Sequence, residues 1–248
     1  MSLVSSCVVT APARATVPVK GAAAGAVFPV RRVYCVGRNY VDHAIEMGHT
    51  GREAPFFFLK PADTVLPVAE GTVGRMHYPG ITTNLHHELE LVVAIGVGGR
   101  NIAAADALQH VYGYAIGLDM TRRDLQNESK KLGRPWCTGK GFDESAPIGP
   151  IVPAALCQLG ADTPIELTVN GVVKQSSHLG KLIWSVPEII EHLSAAWDLA
   201  PGDLIYTGTP EGVGAVVVGD VMRASLGAVV NGQGSVTTLA VEVVARSA

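Results

Sequence analysis

The stretch His86-His87-Glu88-Leu89-Glu90-Leu91-Val92-Val93 sets two carboxylates into a run that otherwise reads as a strand. Side chains two apart on a strand share a face, so Glu88 and Glu90 stand side by side while Leu89 and Leu91 point the other way. Adjacent anions repel, and a hard divalent cation with a preference for carboxylate oxygen relieves that repulsion. A solvated strand face is the alternative reading, and an isolated pair of this kind favours it. Extended outward, the strand is expected to run from His87 to Val97 and to stop at Gly98-Gly99.

The surrounding chain sets limits on what such a pair could serve. Its 248 residues can bury a proper core, and 48% hydrophobic against 17% charged residues fits a globular protein rather than a disordered one. A formal charge of -3 with no basic block gives no footprint for nucleic acid. No apolar run approaches the roughly 20 residues needed to cross a bilayer, so no membrane partner is expected. The four cysteines, Cys7, Cys35, Cys137 and Cys157, form no C-x-x-C pair, a pattern suited to reduced thiols and a cytoplasmic location. Arg14 and Lys20 interrupt the small-residue N-terminus, which reads as an extension or edge strand rather than a signal peptide.

Further groups able to do chemistry flank the carboxylate pair. Residues 42–47 have helical character, and His43 and Glu46, three apart, would share a face, as a general base and its orienting carboxylate do. A surface pair is the bland reading of the same spacing. Phe56-Phe57-Phe58 cannot all face one core, so at least one ring should cover a cavity or partner, and Lys60 could meet an anion at the strand's end. Residues 103–110 are expected to be helical; the apolar run from Val111 to Leu118 reads as a buried strand delivering Asp119, an acid that is costly there unless coordinated, paired or exposed. A helix is expected to open at Met120. Gly139-Lys140-Gly141 permits close approach to a ligand but is not a phosphate loop. Asn170-Gly171 marks a hairpin, and Ser185-Val186-Pro187-Glu188 opens a capped helix whose Ile189, Ile190 and Leu193 should pack on a sheet. With no repeat and no linker, residues 31–248 are expected to form one strand-rich α+β catalytic domain preceded by a 1–30 extension.

Six stretches taken together resemble the fumarylacetoacetate hydrolase family, in the family's order. They are Cys35-Val36-Gly37-Arg38-Asn39-Tyr40 with His43 and Glu46; Phe58-Leu59-Lys60-Pro61; Glu88-Leu89-Glu90; Gly113-Tyr114 with Asp119 to Asp124; Lys140-Gly141-Phe142-Asp143; and Gly202-Asp203 with Thr207-Gly208-Thr209-Pro210. The resemblance implies the mixed β-sandwich roll of that family's C-terminal domain, usually a homodimer. It implies Mg²⁺ or Mn²⁺ held by Glu88, Glu90 and Asp119, a water-activating dyad of His43 and Glu46, and Lys140 beside the metal. Arg123, Gln126 and Thr209 fall where family members touch substrate, with Arg38, Lys60 and Arg123 available to a distant carboxylate. His86 and His87 read as neighbours of the ligands, not as ligands. The short N-terminus cannot supply the extra barrel of the larger members, which directs the resemblance to the acylpyruvase branch; Glu211 stands where a small residue is common.

The expected reaction is metal-dependent hydrolysis of a carbon-carbon bond in a diketo acid, foremost 3-fumarylpyruvate to fumarate and pyruvate. Oxaloacetate decarboxylation or tautomerisation, and 2-hydroxyhepta-2,4-diene-1,7-dioate isomerisation, compete because all pass through an enolate. A metal-dependent binding protein without turnover would have no use for the His43 and Glu46 pair.

Overall fold

The computed structural model describes residues 8–41, 52–227 and 236–246. Among these residues an eight-stranded mixed sheet and a five-stranded sheet meet across one apolar layer, with three-stranded and two-stranded sheets at their margins. The larger sheet runs in the order Phe56–Lys60, Arg32–Gly37, Asp203–Tyr206, Leu89–Ile95, Val111–Leu118, Ala146–Ile148, Val65–Pro67, and Val152–Pro153 adds to the Val111–Leu118 strand. The smaller runs Val172–His178, Pro164–Val169, Val221–Leu226, Thr237–Val244, Gly74–His77.

The Leu89–Ile95 strand is central, and every residue of it is buried. Its odd-numbered residues, Leu89, Leu91, Val93 and Ile95, enter the main core, while Val92 and Ala94 enter a second core on the opposite face. The period of two therefore operates as expected, with apolar groups on both faces. The strand is shorter than the sequence reading: Leu85–His87 belongs to the three-stranded sheet, and Glu88 occupies the break between the two strands.

Val17 and Phe28, from the paired strands Thr16–Pro18 and Val27–Pro29, help close the second core. Burying such side chains contributes about 1.5–3 kcal/mol each, so this part of residues 1–30 is docked against the sheet rather than trailing from it.

Two helix expectations need correction. Residues 103–110 hold only a 3-10 turn, Ala107–His110: the backbone bonds close three residues back, Asp106 N to Ala103 O, Ala107 N to Ala104 O and Gln109 N to Asp106 O, before the chain enters the strand at Val111. The helix expected from Met120 starts at Arg123 and runs to Lys131, since Thr121 and Arg122 pair with Leu85 and His86 and Met120 N donates to Ser145 O. The hairpin at Asn170-Gly171 is present, with φ of 52° and 78°, the left-handed pair that its tight turn requires. The capped helix is Val186–Ala196, with Ser185 and Glu188 forming a reciprocal capping box and Ile189, Ile190 and Leu193 in the main core. No described helix is long and apolar enough to cross a membrane.

Candidate active site

Strand register brings the acids together. Leu89 pairs with Leu118 and Glu90 with Gly117, so the residues just beyond, Glu88 and Asp119, fall opposite one another, and Asp119 N donates to Glu88 O at 2.8 Å. Gly117 leaves room beside Glu90; a Cβ there would stand 2.7 Å from the Tyr206 ring and from Val92. Gly208, at φ +102°, donates its N–H to Glu90 Oε2 at 2.8 Å, a backbone posture that an L side chain would strain. Glu88, Glu90 and Asp119, all buried, offer oxygens within 4.8 Å of one another, the group among the described residues that could hold a metal.

Cations close around the three acids. Lys140, buried at the end of the short helix Cys137–Lys140, donates to Glu88 Oε2 at 2.7 Å, Asp119 Oδ2 at 2.6 Å and Thr121 Oγ at 2.8 Å. Arg123 pairs with Glu88 and donates to Gln126 Oε1 at 2.6 Å. Burial pulls the Lys140 ammonium down, but Asp119 and Glu88 reverse this and hold it above its ordinary range. Burial, then the Asp119 and Glu88 charges, push the Glu90 carboxyl well above the usual carboxylate range. That acid is the one still short of positive charge.

This donor set fits a hard divalent cation. The three groups present carboxylate oxygen, Glu90 is held against its own ionisation, and the buried Asp119 Oδ1 makes no hydrogen bond although Lys60 Nζ lies 2.8 Å away. The solvated strand face, the alternative reading of the pair, does not apply to side chains this deeply buried.

The cleft in front of the acids is lined by Arg38, Phe58, Arg123, Gln126, Thr209 and Lys140, and by Lys130 and Trp136. Lys60 stands elsewhere. Its ammonium donates to Met120 O at 3.1 Å and to Lys140 O and is ion-paired with Asp119, and it is not among the lining residues. The expectation that Lys60 meets a distant substrate carboxylate is therefore corrected: those bonds hold it behind the acids. His43 and Glu46 lie outside the described residues. His86 and His87 stay outside the metal group, and burial with the Arg123 charge takes His86 down to about 4, leaving it neutral. Glu211 does not line the cleft.

Gln175 escaped the sequence reading. Buried in the Val172–His178 strand, its Oε1 accepts from Leu89 N at 2.9 Å and its Nε2 donates to Thr209 Oγ at 2.8 Å and Pro210 O at 2.9 Å. The Leu89 N–H can only donate and the Pro210 carbonyl only accept, so the amide orientation is fixed and Thr209 Oγ must accept from it. The Thr209 proton is thereby free to turn toward the cleft. Gln175→Leu leaves several buried polar groups without partners and is expected to cost about 2–4 kcal/mol in urea unfolding, from one to two lost buried bonds. No sequence signal marks the residue, since an amide on a hairpin strand looks like an exposed one.

Residues 32–243 match the family described as fumarylacetoacetate (FAA) hydrolase C-terminal. A fumarylpyruvate hydrolase from Ralstonia sp is 51% identical over 170 residues, covering 68% of this chain and 85% of the relative. The mitochondrial oxaloacetate tautomerase FAHD1 of Homo sapiens is 42% identical over 196 residues, covering 79% of this chain and 87% of the relative. The crystal structure of fumarylpyruvate hydrolase from Pseudomonas aeruginosa in complex with Mn²⁺ and pyruvate superposes with a TM-score of 0.90 at 49% identity, covering 97% of this chain and 100% of that one. With its acid triad, its strand-rich roll and a match spanning most of its length, the chain belongs to the fumarylacetoacetate hydrolase family.

Proposed function

We propose that the protein is a metal-dependent hydrolase that cleaves a carbon-carbon bond in an acylpyruvate, with 3-fumarylpyruvate as substrate and fumarate and pyruvate as products. The observation that carries this reading is the buried Glu88, Glu90 and Asp119 group with the Lys140 ammonium hydrogen-bonded to two of its members. The relatives add support, because one is named for fumarylpyruvate hydrolysis and another holds Mn²⁺ and pyruvate.

Mg²⁺ or Mn²⁺ held by the three acids would supply Lewis acidity and a template for the carboxylate and 2-oxo oxygens of the pyruvoyl end. Thr209, its proton freed by Gln175, donates to that carboxylate, and Gln126 and Arg123 fix the adjoining wall. His43, oriented by Glu46, takes a proton from the water that attacks the 4-carbonyl. Collapse of the adduct breaks the bond between C3 and C4, and Lys140 stabilises the negative charge of the departing pyruvate enolate. Oxaloacetate tautomerisation is the second reading, favoured by the tautomerase relative and by the same acid and lysine group. It needs no hydrolytic water.

Loss of the fumarylpyruvate absorbance with metal present tests the proposal. His43→Ala is expected to lower that rate by about 10²–10⁴-fold, the usual contribution of a general base. An unchanged rate removes His43 from the mechanism, and tautomerisation alone in a substrate panel replaces the hydrolytic reading. A homodimer and a cytoplasmic location complete the proposal, supported by the family resemblance and by the free thiols of Cys35, Cys137 and Cys157.

A further inference from the structure

The Arg123–Lys131 helix places Arg123, Gln126 and Lys130 at i, i+3 and i+7, one stripe facing the cleft. At 1.5 Å per residue, Lys130 sits about 10 Å along the axis from Arg123, which is paired with Glu88. The stripe thus begins at the acids and ends at the far side of the cleft. There the half-buried Lys130 ammonium lies over the Trp136 ring at 5.1 Å, and Trp136 meets Phe56 edge-on at 5.4 Å and Phe58 at 5.7 Å. Arg38 sits over Phe56 at 5.5 Å. This aromatic wall absorbs two of the three consecutive phenylalanines whose role the sequence left open.

The charge balance differs between the two ends. Near the acids every cation has an anionic partner, whereas among the described residues no hydrogen bond or ion pair engages the Lys130 ammonium. Burial, then the Arg123 and Arg38 charges, pull it down to about 8, the response of a cation in a positive, partly desolvated pocket. A carboxylate arriving there would gain charge-assisted hydrogen bonds and displace no hydrogen-bond or ion-pair partner among the described residues.

We infer that Lys130, flanked by Arg38 and seated on Trp136, is the specificity-determining cation for the terminal carboxylate of a dianionic keto-acid whose other end lies at the acid triad. Phe58 and Trp136, tilted against one another at 59°, give the stretch between the two ends an apolar lining for the acyl chain. The inference deepens the acylpyruvate reading and rests on it for the substrate, but binding without turnover separates the two.

The test is calorimetric titration of the Mn²⁺-loaded protein with 2-oxoheptanedioate and with 2-oxoheptanoate, unreactive ligands of equal length that differ in the distal carboxylate. The wild type is expected to prefer the diacid by about 10- to 100-fold, the worth of one charge-assisted hydrogen bond. Lys130→Met should weaken the diacid by that factor, leave the monoacid within about twofold, and so erase the preference, while Lys130→Arg retains most of it. Equal weakening of both ligands by Lys130→Met, or a wild type that binds them equally, overturns the inference. Failure of fumarylpyruvate turnover with the diacid preference intact overturns the hydrolase reading and leaves the subsite standing.

Discussion

Asp119→Asn is expected to weaken Mn²⁺ binding by at least about 100-fold, since replacing a direct ligand should exceed the loss seen on removing groups that merely orient one. Turnover should fall by about 10²–10³-fold at saturating metal, the range seen when a preorganised electrostatic contribution is removed. Asparagine keeps the size of the side chain and an oxygen, so the fold tolerates it; what is lost is the charge that balances Lys60 and Lys140 and helps hold the cation. Titration of the apoprotein with Mn²⁺, followed by its electron paramagnetic resonance signal, measures the affinity directly. The metal-free wild type carries a related pH dependence. Glu90 is held well above its ordinary value, so the stability associated with its protonated form is fully present below about pH 4.3, the unfolded carboxyl value, and is lost as pH rises through the higher folded value. Bound metal should reverse that trend, because it rewards the ionised form. The increase in melting temperature on adding Mn²⁺ is therefore expected to grow with pH above that point.

Lys140→Met separates stability from catalysis. In the metal-free protein it strips the ammonium from Glu88 and Asp119 while leaving both carboxylates buried, and breaking a buried ion network in this way costs about 3–5 kcal/mol. Divalent metal should restore much of that loss, since it supplies the missing positive charge at the same oxygens. Turnover is not expected to recover with it: the ammonium that stabilises the developing enolate is gone, and a fall of about 10²–10³-fold in kcat should persist in metal-saturated enzyme. Urea unfolding with and without Mn²⁺, beside kcat under the same conditions, reads both effects. If metal restored kcat along with stability, Lys140 would be a structural counter-charge alone.

How much of this was legible in the sequence depended on how local the signal was. The Leu89–Ile95 strand, the Asn170-Gly171 turn and the Ser185 cap are set by neighbouring residues and were readable. The acid triad needed one nonlocal step, the register pairing Leu89 with Leu118; the cost of an acid ending a buried apolar strand singled out Asp119, and the family resemblance joined it to Glu88 and Glu90. Lys60 was misplaced because a lysine ending a strand looks exposed until the carbonyls of Met120 and Lys140 are seen to capture it. The alanine-rich composition of residues 103–110 suggested a helix, but the bonds there close three residues back and the segment ends at His110, whose carbonyl accepts from Gly96 and Val97. Gln175 and Lys130 were invisible: the first gains meaning only from Leu89 and Thr209, the second only from the stripe and the Trp136 ring.

The most direct measurement is product analysis: purified protein with fumarylpyruvate and Mn²⁺, before and after chelation. Equimolar fumarate and pyruvate, formed only while metal is present, is the predicted result; a rate indifferent to chelation, or release of an isomer or carbon dioxide without fumarate, would contradict it.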